Sequence, residues 1–190
     1  LGDIDTIDNA VNISVSAWVK HDSITATAGD MGIVSNFVSG NNGFTLFRDD
    51  VGTVSGRTDM YKLYFGDSSD TDTAIIEGAT GSSSAQTWTH VAFTYEQGSS
   101  TGLRLYVNGI EDANSPVSTT DIDAIDAGAA ELHVGATDTL LFDPEGEIDE
   151  VSIFNKTLSA DQIYAIYQNR TSEIVSAETS LDDVWSVTAC

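Results

Sequence analysis

Cysteine and proline are both scarce in this sequence. The one cysteine, Cys190, is the last of the 190 residues, so no disulfide can form within the chain. We interpret Cys190 as a bystander rather than a reactive thiol, and we expect the fold to depend on its hydrophobic core. Only two prolines and a 41% share of hydrophobic residues exclude a disordered chain.

Basic residues are also few. Seven Lys and Arg face 30 Asp and Glu, which gives a formal charge of −23. Nucleic acids and anionic membrane surfaces are bound through Lys and Arg, so neither is an expected partner. Such a charge repels itself at low ionic strength, so we expect a setting that supplies salt or divalent cations, such as secretion by a marine or halophilic bacterium.

Long apolar runs are absent as well. No run approaches the roughly 18 residues of a membrane-spanning helix, and we expect no membrane insertion. The chain begins at Leu1, without a starting Met or a signal peptide, and we expect it to be part of a longer multidomain protein. Because there is no internal repeat or clear linker, residues 1–190 are predicted to form one domain, with 171–190 as either a last strand or a linker.

What the sequence does contain is a series of short segments of alternating polarity. In "ISVSAWVK" (13–20), Ile13, Val15 and Val19 share one face and Trp18 lies on the other. Similar segments occupy 31–37, 43–49, 60–67, 73–79, 88–96, 103–113, 131–136 and 145–155. "QGSSTG" and Asn108-Gly109 suit hairpin turns, whereas 115–130 is predicted to be a long surface loop. The pattern predicts an all-β protein, an antiparallel β-sandwich or jelly roll.

One short helix is predicted near residues 159–169. Ser159 can cap it, and Gln162 three residues later completes a capping box. Leu158 and Ile163 are placed to form a hydrophobic staple across the cap. Because the helix has only about three turns, we expect it to seal one end of the sandwich.

"GEIDEVSIFNKTLSADQI" (146–163) raises a functional question, because Glu147 and Asp149 lie two apart and so share one face of a strand. Two carboxylates on one face can act as the acid and the nucleophile of a glycosidase. Carboxylates are equally the ligands of a structural calcium ion.

Four motifs in order resemble the laminin G-like domains of the concanavalin A-like lectin and glucanase superfamily. They are "ISVSAWVK", "WTHVAFTYEQGSSTGLRLYVNGIEDA", "LHVGA" and "GEIDEVSIFNKTLSADQI", and they cover about residues 13–168. The resemblance implies a jelly-roll sandwich that binds carbohydrate or peptide and, in many members, one structural calcium ion. Such domains open with a strand similar to "F-D-G", which "LGDIDTIDNAVN" does not reproduce.

Glucanases of this superfamily carry an E-x-D-x-x-E motif, and the chain matches only its first two positions. The third position falls on Ser152. Glu150 is not expected to replace it, because in a regular strand its side chain points away from that of Asp149. The histidines, His21, His90 and His133, are scattered, and His90 is expected to be a satisfied strand histidine. We therefore predict no enzymatic activity.

The resemblance also implies that Asp149 is a calcium ligand beside backbone carbonyls from near the N-terminus. The further ligands that we expect are Asp3, Asp5, Asp143 and the carbonyl of Gly2. The alternative is that Asp149 hydrogen-bonds to backbone amides at a turn, and both interpretations stay open. The acidic loops at 48–59, 66–73 and 119–128 are expected to be solvated surface.

Carbohydrate sites use exposed aromatic rings for the apolar sugar faces and planar polar groups for the hydroxyls. The candidate ligand-binding residues are Trp18, Arg48, Tyr61, Tyr64, Arg104 and Tyr106. Alternation places Arg104 and Tyr106 opposite Leu105, on a face that we expect to be exposed to solvent. Trp18 alone is expected to favour packing over ligand contact.

The sequence thus predicts a non-catalytic, calcium-stabilised module that binds carbohydrate or peptide. We expect it to belong to a large extracellular or cell-surface protein such as a bacterial adhesin. The alternatives are a passive spacer domain made rigid by calcium and, less favoured, a glucanase-like hydrolase. No feature of the sequence identifies the ligand.

Overall fold

The computed structural model describes residues 9–24, 31–37, 43–51, 58–66, 73–125, 131–136 and 146–170. The strands are β1 Asn12–His21, β2 Met31–Ser35, β3 Gly43–Val51, β4 Thr58–Gly66, β5 Thr73–Glu77, β6 Thr89–Glu96, β7 Leu103–Val107, β8 Ile110–Glu111, β9 His133–Val134 and β10 Gly146–Phe154, and the helix is α1 Ala160–Tyr167. The predicted ligands Gly2, Asp3, Asp5 and Asp143, together with the 171–190 segment and Cys190, lie outside the described residues.

The strands form two five-stranded sheets that pack as a sandwich. The first sheet has the order β10-β1-β6-β7-β8, and the second has the order β5-β4-β3-β2-β9. Each pair of neighbouring strands is antiparallel. Strand β1 lies between β6 and β10, so strands distant in sequence are neighbours in space, as in a jelly roll. The predicted fold class is confirmed.

Inward-facing side chains of both sheets form one core, which follows the alternation of the sequence. Ile13, Val15 and Val19 of β1 are fully buried in it. Aromatic rings join the two layers: the centroids of Phe44 and Phe93 lie 5.0 Å apart, and those of Phe65 and Tyr95 lie 4.2 Å apart. Edge-to-face and offset aromatic contacts of this kind stabilise the packing beyond the area they bury.

The turns agree with the prediction, but one connecting segment differs from it. Asn108 and Gly109 both have positive φ, 51° and 76°, and divide the predicted strand 103–113 into β7 and β8. The described part of the predicted surface loop 115–130 is not wholly at the surface. Ile122 and Ile125 are buried in the core, because that segment bridges to β7 at Val117 and to Ala10 at Ile125.

Helix α1 has the predicted cap but a different position. The Ser159 side chain accepts a hydrogen bond from the Gln162 backbone, and the Gln162 side chain accepts one from the Ser159 backbone. We expected the helix to seal one end of the sandwich, and this expectation is wrong. Its residue Ile163 packs with Leu158 over Tyr106 and Ala92 on the outer face of the first sheet. That face was predicted to be exposed, and the apolar stripe of the helix covers it instead.

Among the described residues, the structure contains no helix with the length and hydropathy that a membrane crossing requires.

Candidate functional site

A β-bulge in β10 shapes the outer surface of the first sheet. Ser16 pairs with Ser152 and Trp18 pairs with Asp149, so both Glu150 and Val151 stand opposite Ala17. Glu150 has φ 49°, and its side chain is exposed, whereas Val151 packs against the core. The expectation that Glu150 points away from Asp149 is wrong, because β10 is not a regular strand at this point.

Beside this bulge lies a surface cavity of about 290 Å³, which we call the tryptophan site. It is lined by Trp18, Trp88, Asp149, Glu150 and Asn169. Trp18 comes from the middle of β1, Trp88 directly precedes β6, and Asn169 follows helix α1. The site therefore brings together β1, β6, β10 and the segment after α1.

The Trp18 ring is held in place by aromatic packing. It stacks on Tyr167 at a centroid distance of 5.8 Å and meets His90 edge-on at 5.4 Å. His90 is 1% exposed, and neither ring nitrogen has a hydrogen-bond partner within the described part of the chain. Burial lowers the pKa of His90 to about 4, so at neutral pH it is an uncharged ring beneath Trp18. The expectation of a satisfied strand histidine is thus met only in its burial.

Trp88 is the more accessible of the two tryptophans, with 39% of its surface exposed. The Lys20 ammonium lies 5.9 Å from the centre of its ring. Lys20 also donates a hydrogen bond of 2.7 Å to Glu147, and that bond raises the pKa of Lys20. Glu147 is therefore half of an ion pair.

The polar groups of the tryptophan site are two carboxylates and one amide. Asp149 Oδ1 accepts a hydrogen bond of 2.8 Å from the backbone N–H of Glu150, which fixes the carboxylate beside the bulge. An indole face next to carboxylate and amide oxygens can pack an apolar ring and accept hydrogen bonds from hydroxyl groups. The negative charge of the tryptophan site disfavours an anionic ligand.

Two of the predicted ligand-binding residues lie inside the sandwich instead of on its surface. Tyr61 is fully buried, and its hydroxyl donates to His21 Nε2 at 3.1 Å, while His21 Nδ1 donates to Met31 Sδ at 2.9 Å. Arg48 is 1% exposed and donates to Asp59 at 2.9 Å. The prediction of exposed side chains is wrong at both positions, because each follows the inward-facing alternation of its strand.

Two further predicted ligand-binding residues lie on the outer face of the first sheet, and neither is fully exposed. Tyr106 is 1% exposed because helix α1 covers it. Arg104 is half-buried and donates to both carboxylate oxygens of Glu111, each at 2.8 Å. The expectation of a solvent-exposed face around these two residues is wrong. On the second sheet, half-buried Tyr64 meets Phe37 edge-on at 5.2 Å, so its role as a ligand contact stays a prediction, as does that of Trp18.

The calcium interpretation stays a prediction, because its other expected ligands lie outside the described residues. Asp149 and Glu150 supply exposed oxygen ligands of the kind that calcium prefers. The described part of the chain nevertheless contains no group of three acidic, histidine or cysteine side chains that could hold a metal ion. These residues alone do not complete a calcium site, and the hydrogen bond from Glu150 to Asp149 is the backbone contact that the alternative interpretation expects.

Sequence reasoning missed Trp88, Glu150 and Asn169. The alternation predicts a strand that starts at Trp88, yet the strand begins at Thr89 and leaves the indole exposed. The break in the apolar alternation at Ile148, Val151 and Ile153 was a signal for the bulge, since a regular strand would place Ser152 with Ile148.

Comparisons with solved structures find the same fold in other proteins. The Ruminococcus gnavus IT-sialidase CBM40 bound to α2,3 sialyllactose has a TM-score of 0.60 at 14% identity, over 87% of this chain and 91% of that one. Domain 4 of AbnA, a GH43 extracellular arabinanase from Geobacillus stearothermophilus, in complex with arabinotriose, has a TM-score of 0.58 at 23% identity, over 86% and 69%. The botulinum neurotoxin serotype D binding domain has a TM-score of 0.56 at 18% identity over 85% of this chain, which spans only 38% of that one. At these identities the likeness shows the fold alone.

Sequence comparison supplies the family. No curated protein sequence matches the chain. The laminin G sequence profile described as "Concanavalin A-like lectin/glucanases superfamily" matches residues 1–164, which is most of the chain, and the motif order and the two-sheet topology agree with it. The chain belongs to the concanavalin A-like lectin/glucanases superfamily.

Proposed function

We propose that this chain is a non-catalytic carbohydrate-binding module whose ligand occupies the tryptophan site. The observation that carries the proposal is the exposed indole of Trp88 beside Trp18, Asp149, Glu150 and Asn169 in one cavity. A sugar ring offers an apolar face to an indole and hydroxyl donors to carboxylate oxygens. Carbohydrate-bound neighbours of the same fold support this class of ligand.

The site favours neutral over anionic sugars. Two carboxylates line it, the Lys20 ammonium beside Trp88 is paired with Glu147, and the chain as a whole carries −23. Like charges at an interface lower both affinity and association rate. We therefore expect neutral oligosaccharides to bind and sialylated ones to be rejected, unlike in the IT-sialidase CBM40, which has the same fold.

The arrangement of carboxylates does not favour hydrolysis. Glu147 forms an ion pair with Lys20, and Ser152 holds the third position of the glucanase motif. Retaining and inverting hydrolysis both need two carboxyl groups flanking the scissile bond, one of them a proton donor.

The proposal also includes an extracellular location and membership of a larger, adhesin-like protein, with calcium as a stabiliser through Asp149. The resemblance of the closing motif to that of laminin G-like domains supports the role of Asp149 as a calcium ligand.

A glycan array read with calcium present, followed by isothermal titration of the best neutral oligosaccharide, tests the proposal. Replacing a buried aromatic anchor costs about 2 kcal/mol, so Trp88→Ala should weaken binding roughly thirtyfold. Tyr64→Ala on the second sheet is the control and should leave the affinity unchanged, while α2,3-sialyllactose should give no heat of binding.

Other results would reject this assignment. Loss of binding in Tyr64→Ala with Trp88→Ala unaffected would move the site to the second sheet. An array with no bound glycan, read beside a peptide-display screen, would favour either a peptide ligand or a passive spacer domain.

A further inference from the structure

A buried cluster of charge on the second sheet takes no part in the tryptophan site. The Lys62 ammonium on β4 lies 3.1 Å from Asp49 Oδ2 on β3 and 3.1 Å from Glu77 Oε1 on β5. The three side chains are only 9%, 7% and 4% exposed. One amine is thus held between two carboxylates by three adjacent strands.

The strand register fixes this geometry. Lys62 stands directly opposite Glu77 on one side and opposite Phe47 on the other, and Asp49, two residues beyond Phe47, reaches Lys62 on the diagonal. The Phe47 ring centre lies 5.7 Å from the ammonium. Reacting groups held this close on rigid elements behave as if at very high concentration.

Burying these three charged groups costs free energy. An ammonium and two carboxylates are all largely removed from water, and the burial of charged groups carries a large desolvation penalty. Burial lowers the pKa of Lys62, but hydrogen bonds and charge attraction from Glu77 and Asp49 outweigh it and raise the pKa overall. The ammonium is therefore the resting form, and a proton must pass to a carboxylate before the nitrogen can react.

We propose that Lys62 and Asp49 condense to an intramolecular amide bond, with Glu77 as the proton carrier. The geometry that points to it is an amine in direct contact with one carboxylate as acceptor and a second as base, all shielded from water. This covalent link between β3 and β4 is independent of the proposed glycan binding.

The reaction balances without an oxidant or a co-reactant. A proton passes from Lys62 Nζ to Asp49 Oδ2, and the freed nitrogen lone pair attacks the Asp49 carbonyl carbon to form the C–N bond. Glu77 removes a second proton from Nζ and delivers it to the Asp49 hydroxyl, whereupon the C–O bond breaks and water leaves. The third proton stays on the amide nitrogen, and Glu77 returns to its carboxylate form.

Burial also sets the direction of the equilibrium. In bulk water an amide hydrolyses to acid and amine, but in a dry site the product replaces two buried charges with one neutral group and releases a water molecule. The amide N–H can then donate to Glu77, which keeps the remaining charge hydrogen-bonded.

The same chain contains an internal control. Lys20 and Glu147 are closer, at 2.7 Å, but their side chains are 24% and 59% exposed, and no second carboxylate bonds to Lys20 among the described residues. The chemistry predicts no amide there.

Intact-mass spectrometry of the purified chain, under denaturing conditions and after extended incubation in the folded state, measures the reaction. The expected mass is lower than the sequence mass by one water, and proteolysis should give a branched peptide joining Lys62 to Asp49. Lys20 and Glu147 should appear only in linear peptides.

Two variants decide between the amide and a simple ion cluster. Lys62→Arg keeps the charge and cannot form the bond, and Glu77→Gln keeps the shape and removes the base, so both should show the full sequence mass while circular dichroism shows the native fold. A parent chain that keeps its full mass after the folded incubation would overturn the proposal, as would an unchanged water loss in Lys62→Arg.

Discussion

His90 and His21 are two histidines that the fold holds uncharged. Burial lowers the pKa of His90 to about 4, and burial together with the Arg48 charge lowers that of His21 to about 4. An unfolded histidine titrates near 6.5, so below that pH the unfolded chain binds protons that the folded chain refuses. Each histidine therefore contributes stability at neutral pH that is lost as the pH falls from about 6.5 to about 4.

Replacing His90 should make the fold less sensitive to acid. Between pH 7 and pH 5, one histidine of this kind costs about 2 kcal/mol in the free energy of unfolding, and His90→Leu should remove that share. Urea denaturation at the two pH values measures it. Ile163→Val is the control, because it changes a buried side chain that does not titrate, and its pH difference should equal that of the parent. Equal pH differences in parent and His90→Leu would show that the buried ring is not the sensor.

At the scale of the element, helix α1 depends on its N-terminal cap. Both hydrogen bonds of the capping box are present, and Leu158 and Ile163 lie together on Tyr106. Gly109 lies under the other end of the helix, where a Cβ atom would approach Tyr164 and Tyr167 to within 3.0 Å. The helix is therefore positioned by its cap at one end and by the turn beneath it at the other.

Ser159→Ala should lower the free energy of unfolding by about 1 kcal/mol, because the backbone N–H of Gln162 loses its acceptor. Ser100→Ala changes an exposed serine in the β6–β7 hairpin and should alter stability by less than about 0.5 kcal/mol. Chemical denaturation of both variants gives the comparison. A Ser159→Ala variant as stable as the Ser100→Ala variant would mean that packing alone holds the helix.

The elements that sequence predicts well are those specified locally. The alternation of Ile13, Val15 and Val19 predicts β1, and the Ser159–Gln162 box predicts the start of α1, since both signals lie within a few residues. The bulge at Glu150 and the place where α1 docks depend on how distant strands align. For the same reason the approach of Trp88 to Asp149 and Asn169 was not predicted, because no local pattern specifies it.

At the scale of the whole molecule, the charge of −23 makes stability depend on cations. A ligand at a hundred times its Kd adds about 2.7 kcal/mol to folding, and each kcal/mol moves the Tm of a domain this size by roughly 2–4 °C. Millimolar calcium over a site of about 10 µM should therefore raise the Tm by several degrees. Magnesium should do less, because it demands a tighter octahedron and gives up water reluctantly.

Thermal scans with and without EDTA measure the effect, and sodium chloride at matched ionic strength accounts for general screening. Asp149→Ala should remove the calcium-specific part and keep the salt part. If that variant responds to calcium as fully as the parent, Asp149 serves only the backbone of the bulge.

The bulge in β10 also bears on how copies of the molecule meet. Among the described strands, β10 ends the first sheet, and an end strand offers backbone groups onto which a strand of another molecule can add. The bulge breaks the regular spacing of those groups, and Glu147, Asp149 and Glu150 place like charge along the same edge. A strand of a second copy would have to pair with an irregular row of backbone groups against the repulsion of like charges. The bulge that shapes the tryptophan site therefore also protects concentrated solutions of this protein from edge-to-edge aggregation.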